Sequence, residues 1–141
     1  MTLNREELVQ EMNNLHIEHA KKINQLLSQF ASSGEPGVLL YLREQQGETY
    51  AVDIIDHFGL TPGRVANIVK KLEERGFIER QISFQDMRKY CIQLTDSGRV
   101  QADKLYEQMS QKHLKFIEAL GEDEIIHVIG NLNKILPILE S

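Results

Sequence analysis

Apolar side chains recur at steps of three and four near both ends of the chain, and that spacing predicts long helices there. From residue 3 to residue 30 one stripe runs through Leu8, Met12, Leu15, His19, Ile23, Leu26, Leu27 and Phe30. The stretch Ser32 to Gly37 breaks it, and Pro36 suits the first turn of a short helix over Val38 to Gln45, ended by Gly47. Thr49 then reads as the N-cap of another short helix with Val52, Ile55 and Phe58 on its inner face and Gly59 at its end. Thr61 caps the next helix, Pro62 opens it, and Val65, Ile68, Val69 and Leu72 fall on one side before Gly76 stops it.

Beyond Gly76 the period changes. Phe77 to Ile82 and Tyr90 to Leu94 have strand composition and flank a polar, glycine-free tip, which predicts a β-hairpin. Thr95 is the expected N-cap of a second long helix, with Gly98 in its first turn. Its stripe is Ala102, Leu105, Tyr106, Met109, His113, Phe116, Ile117 and Leu120, and Gly121 ends it. Glu122 to Glu124 place acid at a helix N-terminus, where the helix dipole favours it. The last helix carries Ile125, Ile126, Ile129, Leu132, Ile135, Leu136 and Leu139, with Pro137 expected to kink or fray its end.

This order predicts a mainly α chain with a small β-hairpin wing. Two short helices followed by a hairpin have the organisation of a winged helix-turn-helix, over residues 35–95. Residues 1–34 and 96–141 are then dimerisation helices. They are too apolar for so small a module to bury alone, and a second copy of the chain is the simplest cover.

Charge adds a direction to this plan. The 141 residues carry a net charge of −5, yet residues 60–92 hold seven Lys and Arg against four acids. A basic patch on an acidic body points that patch at a polyanion. The single Cys91 excludes an internal disulfide framework and a cysteine-rich zinc site, which fits a reducing cytoplasm. Apolar runs such as Val38 to Leu42 are too short for a membrane span, so a cytoplasmic protein without a membrane partner is expected.

On the helix opened by Pro62, the side opposite the apolar stripe bears Gly63, Arg64, Asn67, Lys70 and Lys71. Arg64 has the donors to pair with guanine and Asn67 the amide to pair with adenine in a major groove. Lys70 and Lys71 fall where the groove wall offers phosphates. Thr61 and the free N–H groups of the first turn suit another phosphate, and Gly63 allows close approach. In the hairpin tip, Arg88 beside Lys89 suits a narrow minor groove, with Asp86 placed to hold the guanidinium, and Arg80 is a candidate for the DNA backbone. The bland alternative, a solvated helix face and a surface ion pair, loses ground because the hairpin follows the helix.

The segments "LTPGRVANIVKKLEERGFIER", "DMRKYCIQLTDSG" and "LGEDEIIHVIGNLNKIL" together resemble the MarR family of bacterial transcriptional regulators. The spaced matches are Leu72-Glu73, Gly76, Ile78, Arg80, Asp86, Arg88, Leu94-Thr95 and Gly98. The resemblance implies a homodimer that binds double-stranded DNA at pseudo-palindromic sites, and usually a repressor released by a ligand, an oxidant or a metal. Gly63-Arg64 departs from the small polar pair more usual there, which bears on the DNA sequence preferred and not on the mode of binding.

What such a regulator senses is left open by the sequence, and no cofactor is required. Cys91 reads as structural filler, since the first helix lacks the reactive cysteine of peroxide-sensing relatives. His16, His19 and His113 admit three readings: partly buried histidines of a dimer base, zinc ligands, or the lining of an effector pocket with Tyr41 and Tyr106. No phosphate-binding glycine loop, zinc-protease motif or nucleophile elbow is present, so no enzyme is expected. The rival from another class is a dimeric helical adaptor that kept the fold and lost DNA binding.

Overall fold

The computed structural model describes residues 2–22 and 34–139. In chain order the described elements are α1 (Arg5–Glu18), α2 (Glu35–Glu44), α3 (Ala51–Phe58), α4 (Pro62–Glu74), β1 (Ile78–Ile82), β2 (Tyr90–Leu94), α5 (Asp96–Leu120) and α6 (Glu122–Leu139). The protein is thus mainly α with one two-stranded antiparallel sheet, the predicted class. Two compact units divide the chain, residues 1–102 and 103–141.

The first unit contains the core. Val38, Leu39 and Leu42 of α2, Ile54 of α3, and Val65, Ile68, Val69 and Leu72 of α4 are buried, with Ile78, Cys91 and Ile92 of the hairpin and Ala102 of α5. All four residues of the predicted α4 stripe are therefore core. On α3 the prediction is off by one helical face. Ile54 is fully buried while Val52 is 55% exposed, because Val52 and Ile55 line an open cleft toward α4 and the hairpin instead of closing onto them.

Several chain punctuations are where the sequence puts them. Pro36 lies in the first turn of α2, and Thr61 caps α4, its side chain accepting the Arg64 amide at 3.2 Å. Gly59, Gly76 and Gly121 follow helices with positive φ, which a side chain resists. At the end of α4 the Gly76 amide donates to the Glu73 carbonyl and the Phe77 amide to that of Leu72, the two bonds of a Schellman turn. Thr95 caps α5 by accepting the Gly98 amide at 3.0 Å.

Other expectations are corrected. Thr49 is not the cap of α3. It is buried and forms an isolated antiparallel bridge with Ile92, and Tyr50 occupies the cap position, its amide held by Asp53 at 2.8 Å. The first long helix is interrupted. α1 stops at Glu18, with His19 leaving helical geometry at φ −111° and ψ 21°, and Ile23, Leu26, Leu27 and Phe30 of the predicted stripe lie outside the described residues. Gly47 does not end α2, which stops at Glu44. By contrast Pro137, expected to kink or fray the end of the last helix, does lie near that end, inside α6 two residues before Leu139.

α1 starts at a reciprocal cap, Asn4 Oδ1 accepting the Glu7 amide and Glu7 accepting the Asn4 amide, both at 2.9 Å, yet it buries none of its residues. In the second unit, α6 likewise buries nothing within one chain: Ile126, Ile129, Leu132, Ile135 and Leu136 are all exposed.

Candidate nucleic-acid interface

Helix α4 separates its two chemistries cleanly. While Val65, Ile68, Val69 and Leu72 face the core, Thr61, Gly63, Arg64, Asn67, Lys70 and Lys71 are all exposed. Among the described residues no acid pairs with Arg64, Lys70 or Lys71. The acid best placed to neutralise this end of the helix, Glu73, reaches instead to Arg80 on β1, 3.4 Å away. Arg80, predicted as a backbone contact, is thus tied to α4 by that ion pair. Arg75, beyond the helix, pairs with Glu35 at 3.1 Å and lies over the Phe77 ring.

The hairpin register pairs Ile78 with Leu94, Arg80 with Ile92 and Ile82 with Tyr90. Its glycine-free tip is built from side-chain hydrogen bonds. Ser83, fully buried, accepts the amides of Gln85 and Asp86 at 3.1 and 3.0 Å. A tight turn follows, closed by the Lys89 amide on the Asp86 carbonyl at 2.9 Å, with Met87 and Arg88 at its apex. Asp86 fixes that apex twice, accepting the Arg88 amide at 3.0 Å and the guanidinium at 3.1 and 3.3 Å. This is the carboxylate–Arg88 contact expected from the spacing. The hydrogen bonds from Arg88 hold the Asp86 carboxyl below its ordinary pKa, while the Arg88 side chain is 91% exposed.

A second clamp was not expected. Glu48, in the link between α2 and α3, accepts the Ser83 and Tyr50 hydroxyls on one carboxylate oxygen and the Phe84 amide at 2.7 Å on the other. The Ser83 bond first, then that of Tyr50, depress the Glu48 pKa, and the same Glu48 contact raises that of Tyr50. A serine directly after a strand is a turn signal that points to half of this cluster. Glu48, 35 positions away from Ser83, has no local signal.

Between α3, α4 and the hairpin runs a cleft of about 590 Å³. Val52, Ile55 and Ala66 give it apolar walls, and Arg80, Lys89 and Tyr90 its polar rim. None of the five residues predicted for an effector pocket lines it. Tyr41 stacks on His57 with ring centres 4.3 Å apart, and burial raises its phenol pKa. His16 is exposed on α1 and His19 follows its end; Tyr106 and His113 lie on α5 in the second unit. Among the described residues no group of three His, Cys, Asp or Glu side chains is placed to hold a metal ion. Cys91 is buried in β2.

A short helix pair with an exposed basic second helix, followed by a rigid cation-tipped hairpin, defines a winged helix-turn-helix module, the working part of a DNA-binding transcriptional regulator. Comparison with known proteins agrees. The model of the MarR family matches residues 37–90. YwoH of Bacillus subtilis, described as an HTH-type transcriptional regulator, is 31% identical over 74% of this chain and 72% of its own. Among solved structures, the Staphylococcus aureus MepR–DNA complex is 27% identical over 98% of this chain and 99% of that one, with a TM-score of 0.64. MepR bound to ethidium bromide is 28% identical over 97% of each chain, with a TM-score of 0.55. The chain belongs to the MarR family. No described helix is long and apolar enough to cross a membrane.

Proposed function

We propose that the protein acts in the cytoplasm as a homodimeric repressor of a pseudo-palindromic operator. The observation that carries this is the unneutralised basic face of α4 beside a wing whose arginine is held at a fixed apex. Each copy lays α4 in the major groove. Arg64 and Asn67 read base edges there, and Thr61, Lys70 and Lys71 bind phosphates, with Gly63 letting the helix start approach closely. Arg88, oriented by Asp86, enters the adjacent minor groove, with Lys89 on its wall. Arg80, already tied to Glu73, meets the DNA backbone at the groove edge.

The apolar positions of α1 and α6 that one chain leaves exposed are the material of a dimer base, contributed by residues 1–34 and 96–141. Two recognition helices about 34 Å apart, one turn of the duplex, then meet two half-sites. The MepR structures support both halves of the reading, one holding DNA and one a planar cation. The cleft between α4 and the wing favours release by a small planar molecule, since anything seated there alters how these two elements meet DNA together.

Fluorescence anisotropy of the purified protein tests this, first with duplexes enriched from a random library and then with an unrelated duplex. Selective binding that weakens steeply with salt is the expected result. Binding to no duplex at low salt overturns it and favours a helical adaptor.

A further inference from the structure

The wing tip carries more than its arginine. Phe84 is 92% exposed and Met87 72% exposed, and Ile82 and Tyr90, cross-strand partners just below them, are also more than half exposed. Single exposed apolar residues are ordinary. A phenyl ring and a thioether held out at the end of a rigid hairpin are not. The Phe84 amide is fixed by Glu48, and Met87 shares the turn apex with Arg88, whose amide is fixed by Asp86. Five hydrogen bonds from backbone amides to Glu48, Ser83 and Asp86 fix the backbone that carries these two exposed side chains.

Resting on the operator-binding reading, we infer that the wing is an apolar wedge as well as a cation: Phe84 and Met87 press into the floor of the minor groove beside Arg88 and open a base step. Charge names the occupant. The patch is interleaved with Arg88 and Lys89 and lies on the same unit as the exposed face of Arg64, Lys70 and Lys71, so the surface that covers it is polyanionic. Groove floors accept Phe and Met because base faces and sugar edges are apolar. Wedges of this kind unstack a step and bend the duplex toward the major groove. Flexible pyrimidine–purine steps yield most easily, so the wedge selects TA or CA at a position that receives no hydrogen bond.

The test uses the full-length protein and a duplex enriched on it, labelled at both ends for energy transfer. The wild type shortens the end-to-end distance, and a 2-aminopurine placed at the wing-contacted step brightens on binding. Phe84→Ser loses both signals and about tenfold in affinity. Its salt slope stays at the wild-type value, because no phosphate contact is removed. Phe84→Leu, still a competent wedge, keeps the bend. A straight duplex in the wild-type complex, or a Phe84→Ser protein with unchanged affinity and bend, overturns the wedge while operator binding stands. Wild-type protein that binds no duplex at all overturns both.

Discussion

Gly98 rests directly on the backbone of Phe77: a β-carbon at Gly98 would stand 1.8 Å from the Phe77 carbonyl oxygen. That carbonyl also accepts the Thr95 amide at 3.0 Å, and the Thr95 hydroxyl donates to the Gly76 carbonyl. The first turn of α5 is thus clamped to the point where α4 hands over to β1. No flexible side chain is available to move aside. Gly98→Ala is expected to cost about 3 kcal/mol or more. Urea unfolding of the variant checks this, and a midpoint within error of the wild type would refute the contact.

Gly63 is the opposite case. Nothing lies within 4 Å of a β-carbon there and its backbone is ordinary helix. Gly63→Ala should raise stability by about 0.5 kcal/mol through helix propensity alone. On the proposed docking it should also weaken operator binding, since the helix start is held away from the DNA. Opposite signs in thermal unfolding and anisotropy are the signature; a gain in both would remove Gly63 from the interface.

Acid should loosen the wing. Glu48 and Asp86 both titrate below their ordinary values of 4.5 and 3.8 because the folded chain donates hydrogen bonds to their ionised forms. The native state therefore binds fewer protons than the unfolded one in this range. Their contribution is fully present above about pH 5 and is lost as pH falls through the depressed values. Glu48→Gln places an amide nitrogen against a hydroxyl or amide donor, so it should be less stable at pH 7 and show a flatter acid limb. Urea midpoints from pH 3 to pH 7 check this.

The reading residues should separate by contact class. Arg64→Ala and Asn67→Ala are expected to cost about 1–3 kcal/mol on the enriched duplex and little on random DNA. Lys71→Ala should weaken both alike and lower the salt slope by about 0.9. Equal losses on both duplexes for all three variants would sink Arg64 and Asn67 as base readers.

Leu132, 48% exposed in one chain, should be covered in the dimer. Leu132→Glu is expected to give a monomer in sedimentation velocity and to lower operator affinity by about 100-fold or more, because a carboxylate cannot enter an apolar seam unpaired. A variant that remains dimeric would place the interface elsewhere.

What the sequence makes legible here is mostly local. Thr61, Gly76, Thr95 and Gly121 act within a few residues of where they stand, so helix caps and stops follow from reading along the chain. Thr49 shows the limit. It has the chemistry of a cap, and only its isolated bridge to Ile92 of the hairpin takes it out of that role. The Glu48–Ser83 clamp and the cleft beside α4 have the same origin. They depend on how the hairpin seats against the link between α2 and α3, a relation that no periodicity encodes. Tyr41 likewise stacks on His57, which its own helix pattern does not indicate.

Glu48 has one more effect. It sits in the segment that enters α3 and grips the hairpin through Ser83 and the Phe84 amide, so helix pair and hairpin form one instrument of fixed gauge. On the proposed docking, adding one base pair between the bases met by Arg64 and the groove met by Arg88 displaces them by about 3.4 Å and turns them by about 34°. The protein has no slack with which to follow. Within a half-site, then, letters can change one at a time, but the count of letters cannot.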